Sequence, residues 1–260
     1  MDKRVIKFLV FTFLLTFGCW GAIILANQFE YLVYGTPISM IIYLTGGLSP
    51  TIVAYFYLKK CNRVDGIKDF FKKSFSIKQP WQYYILILVL LTLYFILPFT
   101  MGIVTYSTPI YLLPILLISN IIGGGLEELG WRYILQHELE KKYSFIVSTI
   151  IVSIVWAVWH LPLFYIVGTS QQQMLDFWTF SILVVGFSFM LGAIYHITKS
   201  LWLCILSHTL INSINACFLY LDKVNIVQSC LIAGLLVVSS YISIILMKKK
   251  QYRVNNLILK

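Results

Sequence analysis

The sequence predicts an all-α, polytopic membrane protein with about eight transmembrane helices. Hydrophobic residues make up 59% of the 260 residues and charged residues only 12%, whereas a soluble domain carries about 25% charged residues. The apolar runs reach about 20 residues, the length that a membrane-spanning helix needs, and exceed the roughly ten-residue strands of membrane barrels. No polar segment is long enough to separate two membrane domains.

The first two predicted helices precede the longest polar connection. The apolar run at residues 8–26 is about twice as long as a signal-peptide core, so we expect it to be retained as a helix. The second helix is expected at residues 37–58. Gly46, Gly47 and Pro50 favour a bend within it.

The connection at residues 59–82 is strongly basic. Its cations are Lys59, Lys60, Arg63, Lys68, Lys72, Lys73 and Lys78. The apolar side chains at positions 67, 70, 71 and 75 share one helical face, which predicts an interfacial amphipathic helix on anionic lipid between helices two and three. A basic cytoplasmic loop is a compatible reading.

Six further helices complete the prediction. They are expected at about 81–105, 109–137, 144–165, 177–197, 201–221 and 224–248. A polar loop without cations separates the fifth and sixth of the eight helices at residues 167–176. We divide the chain into N-terminal helices with the basic loop (1–108), a core with the polar motifs described below (109–218), and a C-terminal helix with a basic tail (219–260).

The net charge of +10 is explained by membrane topology. All Lys and Arg residues except Arg132 and Lys223 fall in segments that the predicted helices place on one side. The positive-inside rule then predicts a multi-pass protein of the cell membrane with both termini in the cytoplasm, and no nucleic-acid partner. Five cysteines without a CxxC spacing do not predict a disulfide framework.

The segment 123–132 places ionisable groups inside the fourth predicted helix. An ionised side chain at the bilayer centre costs about 3 kcal/mol, so such groups are usually paired or functional. Glu128 and Arg132 have the i,i+4 spacing of a helical ion pair, which gives them a purely structural reading. Glu127 has no local cation, so it is the stronger functional candidate.

Three more polar side chains are expected at the depth of Glu127. Helices four and five should form a hairpin around residues 141–143, which puts His160 and Glu127 at similar depths, given a rise of about 1.5 Å per residue. His208 and Asn212 are four residues apart and share one face of helix seven. Four polar groups from three helices can therefore converge below the cytoplasmic surface.

This group of side chains suits the hydrolysis of an amide bond. A carboxylate held in a low-dielectric site can accept a proton from water, and a histidine can orient that water or pass the proton to the leaving amine. A second histidine and an asparagine amide can donate hydrogen bonds to the oxyanion of a tetrahedral intermediate. No serine has a motif that marks it as a covalent nucleophile.

The three motifs together resemble those of the CPBP family (CAAX proteases and bacteriocin-processing proteins), also called Abi. The family pattern is EExxxR, then F/WxxxH, then HxxxN/D. Here it reads Glu127-Glu128-Leu-Gly-Trp-Arg132, Trp156-Ala-Val-Trp-His160 and His208-Thr-Leu-Ile-Asn212, within residues 109–218. No motif position departs from the pattern, and the N-terminal hundred residues match only as apolar spans.

The resemblance implies an eight-helix membrane core and a set of roles. Glu127 would activate the hydrolytic water with help from His160, while His208 and Asn212 would form the oxyanion hole. Glu128 and Arg132 would support this site. In eukaryotic members of the family, the substrate is a prenylated C-terminal CAAX protein. Bacterial members are linked to bacteriocin immunity and to the maturation of peptide pheromones or bacteriocins. The composition of this chain favours a peptide precursor.

The sequence allows an alternative for metal dependence and two alternatives for the function. Glu127, His160 and His208 form the ligand set of some catalytic zinc sites, but HExxH is absent. We expect no cofactor, since an oxyanion role requires His208 to donate a hydrogen bond rather than bind zinc. A transporter using the same buried groups, or a non-proteolytic bacteriocin-immunity or regulatory protein, is the competing interpretation.

Overall fold

A computed structural model describes residues 3–221 and 223–258, and most of these are helical. The α-helices are α1 (Lys3–Gln28), α2 (Pro37–Gly47), α3 (Ser49–Lys60), α4 (Ile67–Ser74), α5 (Trp81–Thr100), α6 (Leu113–Gly123), α7 (Glu128–Gly130), α8 (His137–Leu139), α9 (Phe145–Trp159), α10 (Ser170–Met174), α11 (Phe177–Thr198), α12 (Leu201–Asn215) and α13 (Ile226–Ile258). The predicted all-α, polytopic class is confirmed.

Five helical segments in the described chain are long and apolar enough to cross a membrane. They are Lys3–Gln28, Trp81–Thr100, Ile110–Leu139, Phe177–Thr198 and Ile226–Lys248. The α2–α3 pair would be a sixth span with a bend of 46°, in the region where glycines and a proline predict one. Helices α9 and α12 are shorter, at 15 residues each. The count of eight spans therefore stays a prediction.

Two predicted helices end early because a small β-ribbon follows them. Strands β1 (Val104–Tyr106) and β2 (Phe218–Tyr220) pair antiparallel, with Thr105 opposite Leu219. The residues of this ribbon form strands, whereas the apolar pattern assigned most of them to the ends of predicted helices three and seven. The predicted fifth helix ends at Trp159, and a 3₁₀ turn (Leu161–Phe164) follows, because Pro162 has no amide hydrogen to donate.

Close packing holds α3 against the motif segment. A Cβ on Gly130 would lie 2.5 Å from Pro50 Cβ, so only glycine permits this approach. The hydroxyl of Thr51 donates a hydrogen bond of 2.5 Å to the carbonyl of Leu126. The first half of the chain therefore supports the motif segment.

The amphipathic helix exists, but much of its apolar face covers protein. Phe70 of α4 is buried against Tyr55, at a ring separation of 5.6 Å, and Phe75 packs on Trp202 at 5.8 Å. Ile67 remains exposed. Met1, Asp2, Asp222, residues 259–260 and the side chains of the basic tail from 249 onward lie outside the described residues.

Candidate active site

The motif segment is irregular where the ionisable residues begin. Helix α6 ends at Gly123, Gly124 is extended, and a 3₁₀ turn covers Gly125–Glu127. A π-helical segment, Trp131–Gln136, follows α7. The break lies among the three consecutive glycines, and π segments within helices often occur at functional sites.

Gly124 allows helix α12 to approach the backbone of the break. A Cβ at this position would lie 3.0 Å from His208 Nε2 and closer still to Asn212 Nδ2. The two side chains of α12 therefore present their outer nitrogen atoms next to this backbone. A side chain on residue 124 would displace them.

The carboxylate of Glu127 is buried and held by two indoles. Its Oε2 accepts hydrogen bonds from Trp156 Nε1 at 2.9 Å and from Trp131 Nε1 at 3.3 Å. Indole N–H groups are neutral donors, so they orient the carboxylate without neutralising it. Trp156 is the aromatic position of the second motif, and neither tryptophan was predicted to be a hydrogen-bond donor to Glu127.

The carboxylate of Glu128 joins Arg132 to His208. Arg132 Nε lies 2.7 Å from Glu128 Oε2, and both side chains are fully buried. Glu128 Oε1 lies 2.9 Å from His208 Nδ1. Since an ionised carboxylate can only accept, Nδ1–H of His208 is the donor and Nε2 faces Gly124. Glu128 therefore orients an imidazole that comes from another helix.

The ring of His160 is held by its own helix and by aromatic neighbours. Its Nδ1 lies 2.8 Å from the carbonyl oxygen of Trp156, and a carbonyl can only accept. The Nδ1–H is thus committed, and Nε2 carries the lone pair when the ring is neutral. The ring packs edge-on against Trp159 at 4.7 Å and Phe180 at 5.0 Å.

Four of the predicted site residues line one cavity of about 150 Å³. They are Glu127, His160, His208 and Asn212. A single water needs roughly 10–15 Å³ of such space, so water and part of a substrate can enter. Glu128 and Arg132 lie behind the lining residues, where they hold His208. Apolar walls come from α1, α2 and α11 as well.

A polar chain that the sequence motifs did not reveal leads away from the site. Arg132 Nη1 donates to Gln136 Oε1 at 2.8 Å, and Gln136 Nε2 donates to Glu140 Oε1 at 2.7 Å. Glu140 also accepts from His196 Nδ1 and Lys199 Nζ, each at 3.1 Å. In the sequence, this chain is visible only as polar residues spaced four apart, at positions 128, 132, 136 and 140.

The outer end of this chain keeps a carboxylate ionised. Burial acts to raise the pKa of Glu140, but hydrogen bonds from His196 and Gln136, together with the charge of Lys199, outweigh it and lower the pKa to about 2. The chain thus ends in a fixed negative charge beside two basic side chains at the protein surface.

The zinc alternative finds no support in the geometry. Within residues 3–221 and 223–258, no group of three His, Cys, Asp or Glu side chains is arranged to hold a metal ion. Glu127, His160 and His208 line the same cavity. Glu127 accepts from an indole, and Nδ1 of His208 is bonded to Glu128.

Fold and site together define a polytopic helical membrane protein with a buried carboxylate, two imidazoles and an amide in one cavity. A family model described as type II CAAX prenyl endopeptidase, Rce1-like, matches residues 109–214. The chain is also 26% identical over 185 residues to CAAX prenyl protease 2 of Methanococcus maripaludis. The match covers 64% of this chain and 64% of the relative, which is less than two thirds of the relative's length. Both comparisons are to proteins of this class, and they support the resemblance of the motifs to the CPBP family.

Proposed function

We propose that the chain is an intramembrane endopeptidase that hydrolyses peptide bonds near the cytoplasmic face of the cell membrane. The observation that carries this proposal is the single buried cavity shared by Glu127, His160, His208 and Asn212. The family match supports the same reaction class. Each polar group has a chemically distinct task in amide hydrolysis.

Glu127 acts as the general base in this mechanism. Its carboxylate takes a proton from a water molecule while the lone pair on His160 Nε2 accepts the second hydrogen bond of that water. The oxygen of the water attacks the peptide carbonyl carbon and forms the tetrahedral intermediate. Protonated Glu127 then gives its proton to the amine nitrogen as the carbon–nitrogen bond breaks.

His208 and Asn212 stabilise the oxyanion of this intermediate. The doubly protonated ring of His208 donates from Nδ1 to Glu128 and from Nε2 into the cavity, and the negative charge of Glu128 stabilises that form of the ring. Asn212 Nδ2 supplies the second donor. Arg132 keeps Glu128 ionised and fixed in place.

The substrate is a peptide precursor of the pheromone or bacteriocin type, or a lipidated protein. The similar archaeal protein is by its name a prenyl protease, which supports the second class. Both termini and the basic connection 59–82 lie on the cytoplasmic side, where its lysines contact anionic lipid. The substrate bond then reaches the cavity from that side.

A peptide panel tests the reaction and its substrate class. Purified protein in bilayer nanodiscs is incubated with prenylated C-terminal peptides and with matched unlipidated leader peptides, and products are identified by mass spectrometry. We expect cleavage within one class. A protein that cleaves neither class, but carries a solute across liposome membranes, would instead support the transporter interpretation.

Substitution of Gly124 tests the approach of α12 to the break. Gly124→Ala should lower kcat/KM for peptide hydrolysis by about 100-fold or more, since the added methyl group displaces two oxyanion donors and each such donor contributes about 10²- to 10³-fold. Gly234→Ala in α13 is the matched control, because a Cβ there has nothing within 4 Å and the residue does not line the cavity. Equal activity of the two variants would contradict the proposed donor positions.

Metal removal should leave hydrolysis unchanged. The proposed mechanism draws its base and its oxyanion donors from side chains, so incubation with a strong chelator followed by dialysis should alter the rate by less than about twofold. The measurement is the peptide cleavage rate before and after treatment. Zn²⁺ is then added to the treated protein to test whether activity recovers. Loss of activity that zinc restores would contradict this mechanism and favour the zinc alternative.

A further inference from the structure

A second cavity lies on the outer face of α1 and α3, away from the candidate active site. It encloses about 870 Å³ and is lined by Arg4, Lys7, Phe8, Phe11, Leu14, Leu15, Val53, Phe56, Tyr57, Lys60 and Cys61. We call it the α1–α3 groove. Its described lining contains no acidic side chain.

The groove has a basic end and an apolar body. The first turns of α1 lie beside the last turn of α3. The cations of both helices are therefore at the same end of the groove. Arg4, Lys7 and Lys60 lie at that end. The apolar side chains continue away from it, and Leu14 and Phe56 are 65% and 63% exposed. Charge and apolar surface are therefore separated along the groove axis.

The length of the groove matches one leaflet of a bilayer. From Arg4 to Leu15 is eleven residues of α1, which corresponds to about 16 Å. Half of the hydrocarbon core is roughly 15 Å thick. An acyl chain lying along Phe11 and Leu14 would therefore bring its headgroup phosphate to the level of Lys7 and Lys60.

We propose that the α1–α3 groove binds one anionic phospholipid, with the phosphate at Lys7 and Lys60 and an acyl chain along α1. A zwitterionic lipid would fill the apolar body equally well, but its headgroup carries a cation that opposes the basic end. The bound lipid also reaches Phe8, whose ring packs edge-on against Trp131 at 6.4 Å. The ring of Phe8 thus lies between the lipid and the Trp131 indole, which donates to Glu127.

Native mass spectrometry of the full-length protein tests this site. The protein is released from micelles that contain equal amounts of phosphatidylglycerol and phosphatidylcholine, and retained lipid is counted. Wild type should retain one phosphatidylglycerol in preference to phosphatidylcholine. Lys7→Gln/Lys60→Gln should lower that retention about 25-fold, since each cation near an anionic headgroup contributes roughly fivefold.

Two variants separate the groove from the general basic surface. Lys141→Gln/Lys142→Gln removes the same charge from exposed positions outside both the groove and the basic connection 59–82, and should leave retention unchanged. Leu14→Trp fills the apolar body without changing charge and should abolish retention while the thermal midpoint stays near that of wild type.

Three outcomes would overturn the proposal. They are equal retention of the two lipids by wild type, an equal loss in the Lys141→Gln/Lys142→Gln variant, and displacement by a prenylated peptide without any preference for phosphatidylglycerol. The last result would assign the groove to the lipid moiety of a substrate. None of these readouts requires proteolysis, so they can fail or succeed independently of the proposed enzymatic function.

Discussion

Glu127→Gln should reduce kcat/KM for peptide hydrolysis by about 10²- to 10⁴-fold, the usual contribution of a positioned general base. Glutamine has the same shape, and its carbonyl oxygen can still accept the hydrogen bonds of Trp131 and Trp156. What it cannot do is take a proton from water. The effect should therefore appear in kcat, with KM for the peptide nearly unchanged.

Glu138→Gln is the matched control for this variant. Glu138 is a nearby carboxylate that pairs with Lys141 at 2.7 Å and with Arg63 at 3.4 Å outside the cavity. Its loss should change the cleavage rate by less than about twofold, since exposed ion pairs contribute little to the structure. A Glu127→Gln protein that cleaves as fast as Glu138→Gln would exclude Glu127 as the base.

Arg132→Met should lower the free energy of unfolding by about 3–5 kcal/mol. The substitution leaves the fully buried carboxylate of Glu128 with His208 as its only described basic partner, and breaking a buried ion pair by removing one member is costly. Gln136 would also lose the donor that now bonds its side-chain oxygen at 2.8 Å. The measurement is reversible unfolding in mixed micelles, followed by circular dichroism.

The double variant Glu128→Gln/Arg132→Met identifies the cause. Removing both charges should recover a large part of the lost stability, because the buried carboxylate that lacked its arginine is gone and His208 can become neutral. Lys141→Met breaks a surface ion pair of the same 2.7 Å length and should cost less than about 1 kcal/mol. A double variant as unstable as Arg132→Met would show that the arginine acts through packing instead.

The sequence predicted the helical class and the residues of the cavity for clear physical reasons. Long apolar runs admit one kind of secondary structure in lipid, and the ionisable residues inside them stand out by their cost. Equal distances from the turn at residues 141–143 predicted that Glu127 and His160 could meet, and both line one cavity. The i,i+4 spacing likewise indicated the Glu128–Arg132 pair.

Other features depend on tertiary contacts that carry little sequence signal. The β-ribbon pairs residues 104–106 with residues 218–220, more than a hundred positions away. The indole donors to Glu127 looked like ordinary membrane aromatics, and the link from Glu128 to His208 joins two helices. Gln136 and Glu140 fall outside the motifs, so their part in the polar chain appeared only from their hydrogen bonds.

Peptide cleavage in ¹⁸O-labelled water tests the central claim most directly. Membranes that contain candidate precursors are incubated with purified wild type or with Glu127→Ala, and new C-termini are identified by mass spectrometry. We predict peptides whose new carboxyl group carries ¹⁸O in the wild-type sample alone. The same labelled peptides with Glu127→Ala, or no labelled peptide with either protein, would contradict the account.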